Sequence, residues 1–162
     1  MPAGPALRKV FALVAFLLAA FSAAAIGGLA TARGVVEWYP TLAKPSWTPP
    51  SWLFGPVWTV LYAMMGIAAW RVWVAAGNFR SARRELALWG IQLTLNAHWS
   101  IAFFGMRSPG TALVNIGLLW LAILATIVVF ARRSRAAAWL LAPYLAWVTF
   151  AAALNAAVWR LN

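Results

Sequence analysis

Five stretches of the chain stay apolar for about twenty residues, long enough for a helix rising about 1.5 Å per residue to cross a hydrocarbon layer of about 30 Å. The arginines, prolines and turn-forming residues collect between them. This alternation predicts helices over residues 8–30, 51–75, 82–104, 109–131 and 136–159. The fold class that follows is an all-α integral membrane protein. It is a single domain over residues 1–162 forming a five-transmembrane-helix bundle, with a structured Pro/Trp-rich loop between helices 1 and 2. The first run follows Arg8 and Lys9, and "SAAA" (22–25) resembles a signal-peptidase site. The apolar stretch continues through "IGGLATA", however, which favours a retained spanning helix. Ser108 before Pro109 is placed to cap the fourth helix and Ser51 the second. Pro56 falls in the opening turns of the second helix, where its missing N–H costs little.

Within the runs, polar and aromatic positions repeat at helical spacing. Trp89, Gln92, Asn96, Trp99 and Phe103 share one face of the third helix, and Tyr144, Trp147, Ala151, Leu154 and Asn155 one face of the fifth. Trp58 and Tyr62 stand one turn apart on the second. Amides in hydrocarbon cost several kcal/mol unless paired, so these faces turn inward. There they either glue helices together or wall a pocket with aromatic rings and a few hydrogen-bonding groups. The loop between the first two runs carries Pro40, Pro45, Pro49 and Pro50. Its backbone is pre-set, as a lid that closes with little entropy loss or as a rigid interfacial connector.

Composition narrows the chemistry. With 65% hydrophobic and 9% charged residues, the chain has the lipid bilayer as its solvent. The net charge of +11 then reads as topology and not as nucleic-acid binding, and nucleic acid is not an expected partner. Nine cations (Arg8, Lys9, Arg71, Arg80, Arg83, Arg84, Arg132, Arg133, Arg135) fall on the N-terminal side against four (Arg33, Lys44, Arg107, Arg160) on the other. This asymmetry predicts a multi-pass protein with its N-terminus inside, the choice between inner and outer membrane staying open. The chain has no cysteine, its only carboxylates are Glu37 and Glu85, and its only histidine is His98. Cysteine nucleophiles, paired acid–base catalysis and a metal site are therefore not expected, and His98 is assigned a helix–helix hydrogen bond. Of the twelve tryptophans, Trp70, Trp73, Trp89, Trp139 and Trp159 lie near helix ends as interface anchors. Trp58, Trp99, Trp120 and Trp147 lie deeper, where each indole N–H wants an acceptor. Two small-residue pairs, Ala23 with Gly27 and Gly90 with Thr94, are candidate surfaces for close helix approach, in a dimer or within one bundle.

Taken together, "WYPTLAKPSWTPP" (38–50), "PVWTVLY" (56–62), "LTLNAHW" (93–99), "FFGM" (103–106) and "PYLAWVTFAAALN" (143–155) resemble the tryptophan-rich sensory protein or translocator protein family, TspO/MBR, also called the peripheral-type benzodiazepine receptor. The resemblance spans essentially all five predicted helices. It implies a bacterial-type membrane receptor or sensor, commonly a homodimer, that binds protoporphyrin IX-like tetrapyrroles and other flat apolar ligands in a pocket under the first loop. No cofactor is required, porphyrin being the ligand. The resemblance places the ligand at Tyr39, Pro49, Trp58, Tyr62, Asn96, Trp147, Ala151 and Leu154. Trp38 is added as a loop position, and Trp99 and Asn155 come from the two inward faces. Light- and oxygen-dependent porphyrin degradation, with Trp38 and Trp58 as candidate catalytic residues, is the alternative function, and porphyrin or sterol transport a third. Arg33 or Lys44 is placed to meet porphyrin propionates at the water boundary. Two departures from the family pattern stand out. Ala156 replaces the tyrosine of the sterol-recognition segment, and Ser100 and Ile101 follow Trp99 where the family has proline, which predicts a straighter third helix.

Overall fold

The computed structural model describes residues 4–162, so residues 1–3 of the expected domain lie outside the described residues. Among the described residues five α-helices follow one another: α1 (Pro5–Glu37), α2 (Phe54–Ala76), α3 (Arg83–Ser100), α4 (Pro109–Arg133) and α5 (Arg135–Leu161). Among the described residues the helices α1, α2 with its leading turn, α4 and α5 are long and apolar enough to cross a membrane. α3 is shorter and interrupts its apolar run with Gln92, Thr94, Asn96 and His98. α4 lies along α5 and α3, while α1 lies along α2 and α3, and α2 also meets α5. Large side chains such as Leu18, Leu29, Val114 and Leu121 point outward, where lipid rather than water is the solvent.

Small residues let the backbones approach, which replaces the missing hydrophobic driving force between helices in lipid with packing. Ala12 and Ala20 on α1 and Ala68 and Ala69 on α2 are buried, and the two helices pack on one another. A Cβ on Gly66 would stand 3.1 Å from the Leu17 Cα. The same logic carries α1 beyond its predicted end at residue 30. The segment to Glu37 holds no breaker, and Gly34 packs onto the end of the third helical segment, where a Cβ would meet the Phe104 carbonyl oxygen at 2.7 Å. Gly34→Ala is expected to destabilise by about 1–3 kcal/mol, the usual range for overpacking against backbone, read as a lower unfolding temperature in detergent.

Several expected details come out differently. Ser51 does not cap α2: it opens a 3-10 turn over Ser51–Leu53, and Leu53 precedes the helix with no side-chain cap. Pro50 leads into this turn, accepting the Leu53 N–H at 3.0 Å, and Pro56 is the third residue of α2. Ser108 and Pro109 do start α4, but the Ser108 hydroxyl bonds the Thr111 hydroxyl at 2.9 Å instead of a backbone N–H. The end of α3 is not straight. Ile101–Gly105 widens into a π turn closed by Met106 N–H donating to the Ile101 carbonyl at 2.7 Å, and Arg107 then turns the chain with φ of 52°. The wider turn sets Phe103 against Trp38 and Phe104 against Tyr39, with ring centroids 5.5 and 5.8 Å apart. A proline is not required for the irregularity.

Trp73 and Trp89 are not interface anchors, being only 4% and 6% exposed. Trp89 donates to the Met65 carbonyl at 3.1 Å and meets Phe16 edge-on. Both sit near helix ends, but each is on the face turned toward α1 or α2, and that rotation outweighs depth. Trp139 and Trp159 are exposed, and Trp70 reaches the Lys9 carbonyl at 2.9 Å.

Candidate ligand-binding site

The inward faces of α2, α3 and α5 meet at three polar side chains. Tyr62 donates its hydroxyl to Asn96 Oδ1, and Asn96 Nδ2 donates to the Tyr144 hydroxyl at 3.0 Å, all three residues being buried. One turn further along, Trp99 Nε1 donates to Asn155 Oδ1 at 3.0 Å, and Asn155 Nδ2 donates to the Pro109 carbonyl at 2.8 Å, tying α3, α5 and the start of α4. Each amide thus satisfies itself within protein, as a polar group in hydrocarbon must. Trp120 finds the Thr149 hydroxyl at 2.8 Å.

Beside this network lies a cavity of about 440 Å³, within the range usual for small-molecule sites. Nine of the eleven expected site residues line it: Tyr39 from the loop, Trp58 and Tyr62 from α2, Asn96 and Trp99 from α3, and Trp147, Ala151, Leu154 and Asn155 from α5. Trp38 and Pro49 do not. Trp38 continues the last turn of α1 through its N–H to the Gly34 carbonyl, which aims its ring at Phe103, behind the wall. Pro49 sits half-buried in the loop, away from the cavity.

The walls also include α1, which the sequence reading left out. Phe21, Ala24, Gly27, Thr31 and Val35 line the cavity, a stripe at spacings of three and four whose small members were its only mark. Gly28 and Ala32 on α1 and Gly55 and Thr59 on α2 line it while remaining exposed, so the cavity opens sideways between these two helices.

Aromatic rings dominate the interior. Trp58 lies 5.6 Å from Tyr62 and 6.1 Å from Tyr144 between centroids, and Trp99 stacks on Phe103 at 5.3 Å. Trp147 meets Phe54 and Phe150 at 5.8 and 5.5 Å. Its Nε1 is buried and, among the described residues, has no hydrogen-bond partner.

The loop over the cavity is internally braced. Lys44 donates to the carbonyls of Tyr39 at 2.8 Å and Leu42 at 2.9 Å and lies 4.9 Å from the Tyr39 ring centre. Its ammonium is therefore occupied by the loop itself. Arg33 is exposed on α1. Burial pushes the Tyr39 phenol above its ordinary pKa. Glu37 pairs with Arg107 at 3.1 Å, both well exposed, which contributes little to stability.

His98 lies outside the site. His98 Nδ1 is 2.9 Å from Asn115 Nδ2, a link between α3 and α4. The Ala23–Gly27 pair faces inward, a Cβ on Gly27 standing 3.0 Å from Ser100 Oγ, whereas a Cβ on Gly90 would meet nothing and Thr94 is exposed.

A family model described as the TspO/MBR family matches residues 14–160. The tryptophan-rich protein TspO of Chlorobaculum tepidum is 47% identical over 84% of this chain and 86% of its own. A protein of the same name from Archaeoglobus fulgidus is 43% identical over 95% of this chain and 99% of its own. The translocator protein of Homo sapiens is 47% identical over 78% of this chain and 76% of its own.

Proposed function

The chain belongs to the TspO/MBR family, and from that premise we propose that it is a membrane receptor for protoporphyrin-like tetrapyrroles and other flat apolar ligands, held in the cavity between α1, α2, α3 and α5. In this reading α3 crosses the bilayer with the other four helices, the N-terminus lies on the inner side, and the α3 face that carries half-buried Gly90 and exposed Thr94 joins two copies.

The observation that carries the reading is the cavity itself, walled by the rings of Trp58, Trp99 and Trp147, whose polar groups Tyr62, Asn96 and Asn155 bond to protein and leave the hollow apolar. An empty hollow leaves its lining without partner atoms on one side, and a ligand that fills it restores those contacts. Flat rings gain further from Trp58, Trp99 and Trp147, each aromatic contact giving about 0.5–1.5 kcal/mol beyond area burial. The opening between α1 and α2 suits a ligand already dissolved in the membrane. The test is quenching of tryptophan emission by protoporphyrin IX in the dark. Trp58→Ala with Trp147→Ala is expected to weaken affinity by roughly 10- to 100-fold. Unchanged affinity in that double variant would remove the cavity as the site.

Light- and oxygen-dependent loss of porphyrin absorbance is a second reading, favoured only by the indole of Trp58 at the cavity wall. It predicts that bleaching slows in Trp58→Phe and persists in Trp38→Phe, since Trp38 stands outside the cavity. Equal bleaching in both variants and the parent would make the protein a passive carrier.

A further inference from the structure

The loop covering the cavity is held from an unexpected place. Ala43 N–H donates to Asn162 Oδ1 at 3.0 Å, and Asn162 Nδ2 donates back to the Ala43 carbonyl at 3.0 Å, across 119 residues of chain. The same Nδ2 also donates to the Val158 carbonyl at 2.8 Å, one turn back on α5. Both donor hydrogens of the amide and its oxygen are thus occupied. Turning the amide over would place nitrogen against N–H and oxygen against two carbonyls, so its partners fix its orientation.

We propose that Asn162 is a positioning residue for ligand capture: its amide latches the backbone of residue 43 to the end of α5 and so keeps Tyr39 over the cavity. The hold reaches Tyr39 through Lys44, whose ammonium binds the carbonyls of Tyr39 and Leu42. Residues 39–44 therefore move as one braced unit. Apolar contacts alone leave the unit free to slide. Trp47 meets Phe150 at 5.8 Å and Leu42 packs against the buried cluster that holds Phe103, Leu154 and Val158, neither of them directional. The Glu37–Arg107 ion pair at the other end of the loop is exposed and weak. Thr41 N–H and its hydroxyl donate to the Trp38 carbonyl at 3.0 and 2.7 Å and hold the start of the unit to the end of α1, while the amide supplies the directional restraint on the α5 side; it reads backbone atoms, so the side chain at position 43 takes no part.

Removing the latch frees the lid without touching a cavity-lining residue. The proposal rests on the ligand-binding reading for its consequence, but the latch can be measured without ligand. Hydrogen exchange over residues 39–44 in the ligand-free protein is expected to quicken by roughly tenfold at Ala43 in Asn162→Ala, the loss of one hydrogen bond to a small lid. Asn162→Asp keeps the acceptor for Ala43 N–H and loses both donors, and is expected to fall between parent and alanine variant. Protoporphyrin IX dissociation, followed by emission after dilution, is expected to quicken by about the same factor in Asn162→Ala with the unfolding temperature nearly unchanged. Lys44→Met is expected to quicken it too, and the double variant to add little, because both act on one braced unit. Parent-like exchange at Ala43 in Asn162→Ala would overturn the latch. Faster exchange with parent-like dissociation would overturn its role in capture. If porphyrin binds neither parent nor variant, the ligand reading fails while the exchange result still decides the latch.

Discussion

Asn96→Leu is expected to destabilise the protein by about 2–4 kcal/mol, because it strips two tyrosine hydroxyls of their amide partner in a medium with no water to replace it. Tyr62 and Tyr144 stand on separate helices, and Asn96 bridges them by accepting from one and donating to the other. The informative control is the triple variant Asn96→Leu, Tyr62→Phe, Tyr144→Phe. Replacing all partners by apolar groups of similar shape removes the unsatisfied hydroxyls, so most of the lost stability is expected to return. Porphyrin affinity in the triple variant is expected to stay within roughly threefold of the parent, since the Asn96 amide already spends its bonds on protein and the rings remain in place. Thermal unfolding with and without porphyrin measures both. A triple variant no more stable than the single one would show that the three groups do not act as a unit.

Ala151→Trp is expected to abolish porphyrin binding, at least a hundredfold by titration, while leaving the fold intact. Ala151 lines the cavity from α5, in the same stripe as Trp147 and Leu154. An indole there occupies space that is open and not packed core, so it fills the hollow at little strain, in contrast to the same change at a close-packed site. Full-strength binding in this variant, with the helices intact by circular dichroism, would mean that porphyrin sits elsewhere.

The faces of α3 and α5 were legible because each mixes amides and rings at helical spacing inside an apolar run, and only one rotation of such a helix hides them. The α1 wall was not. Its lining residues include Ala24, Gly27 and Gly28, which look the same from either side of a membrane helix, and only the close fit of Gly27 to Ser100 marks the inward side. Trp38 was misplaced because its side chain depends on where α1 ends. Once α1 continues to Glu37, the Trp38 ring turns toward Phe103. Trp89 shows the limit of depth as a criterion. It belongs to the same stripe as Gln92 and Asn96, and that membership predicted its burial better than its distance from the helix end. The π turn after Ser100 left no mark in the chain before it, since no proline or glycine precedes it, and its consequence, the packing of Phe103 on Trp38 and Phe104 on Tyr39, is visible only in three dimensions.

The most direct test is an experimental structure of the protein with protoporphyrin IX bound. The macrocycle is expected under Tyr39, bounded by the rings of Trp58, Trp99 and Trp147. A macrocycle seated instead in the outer groove between Val60, Met64, Pro143 and Ala146, with the inner cavity empty, would contradict it.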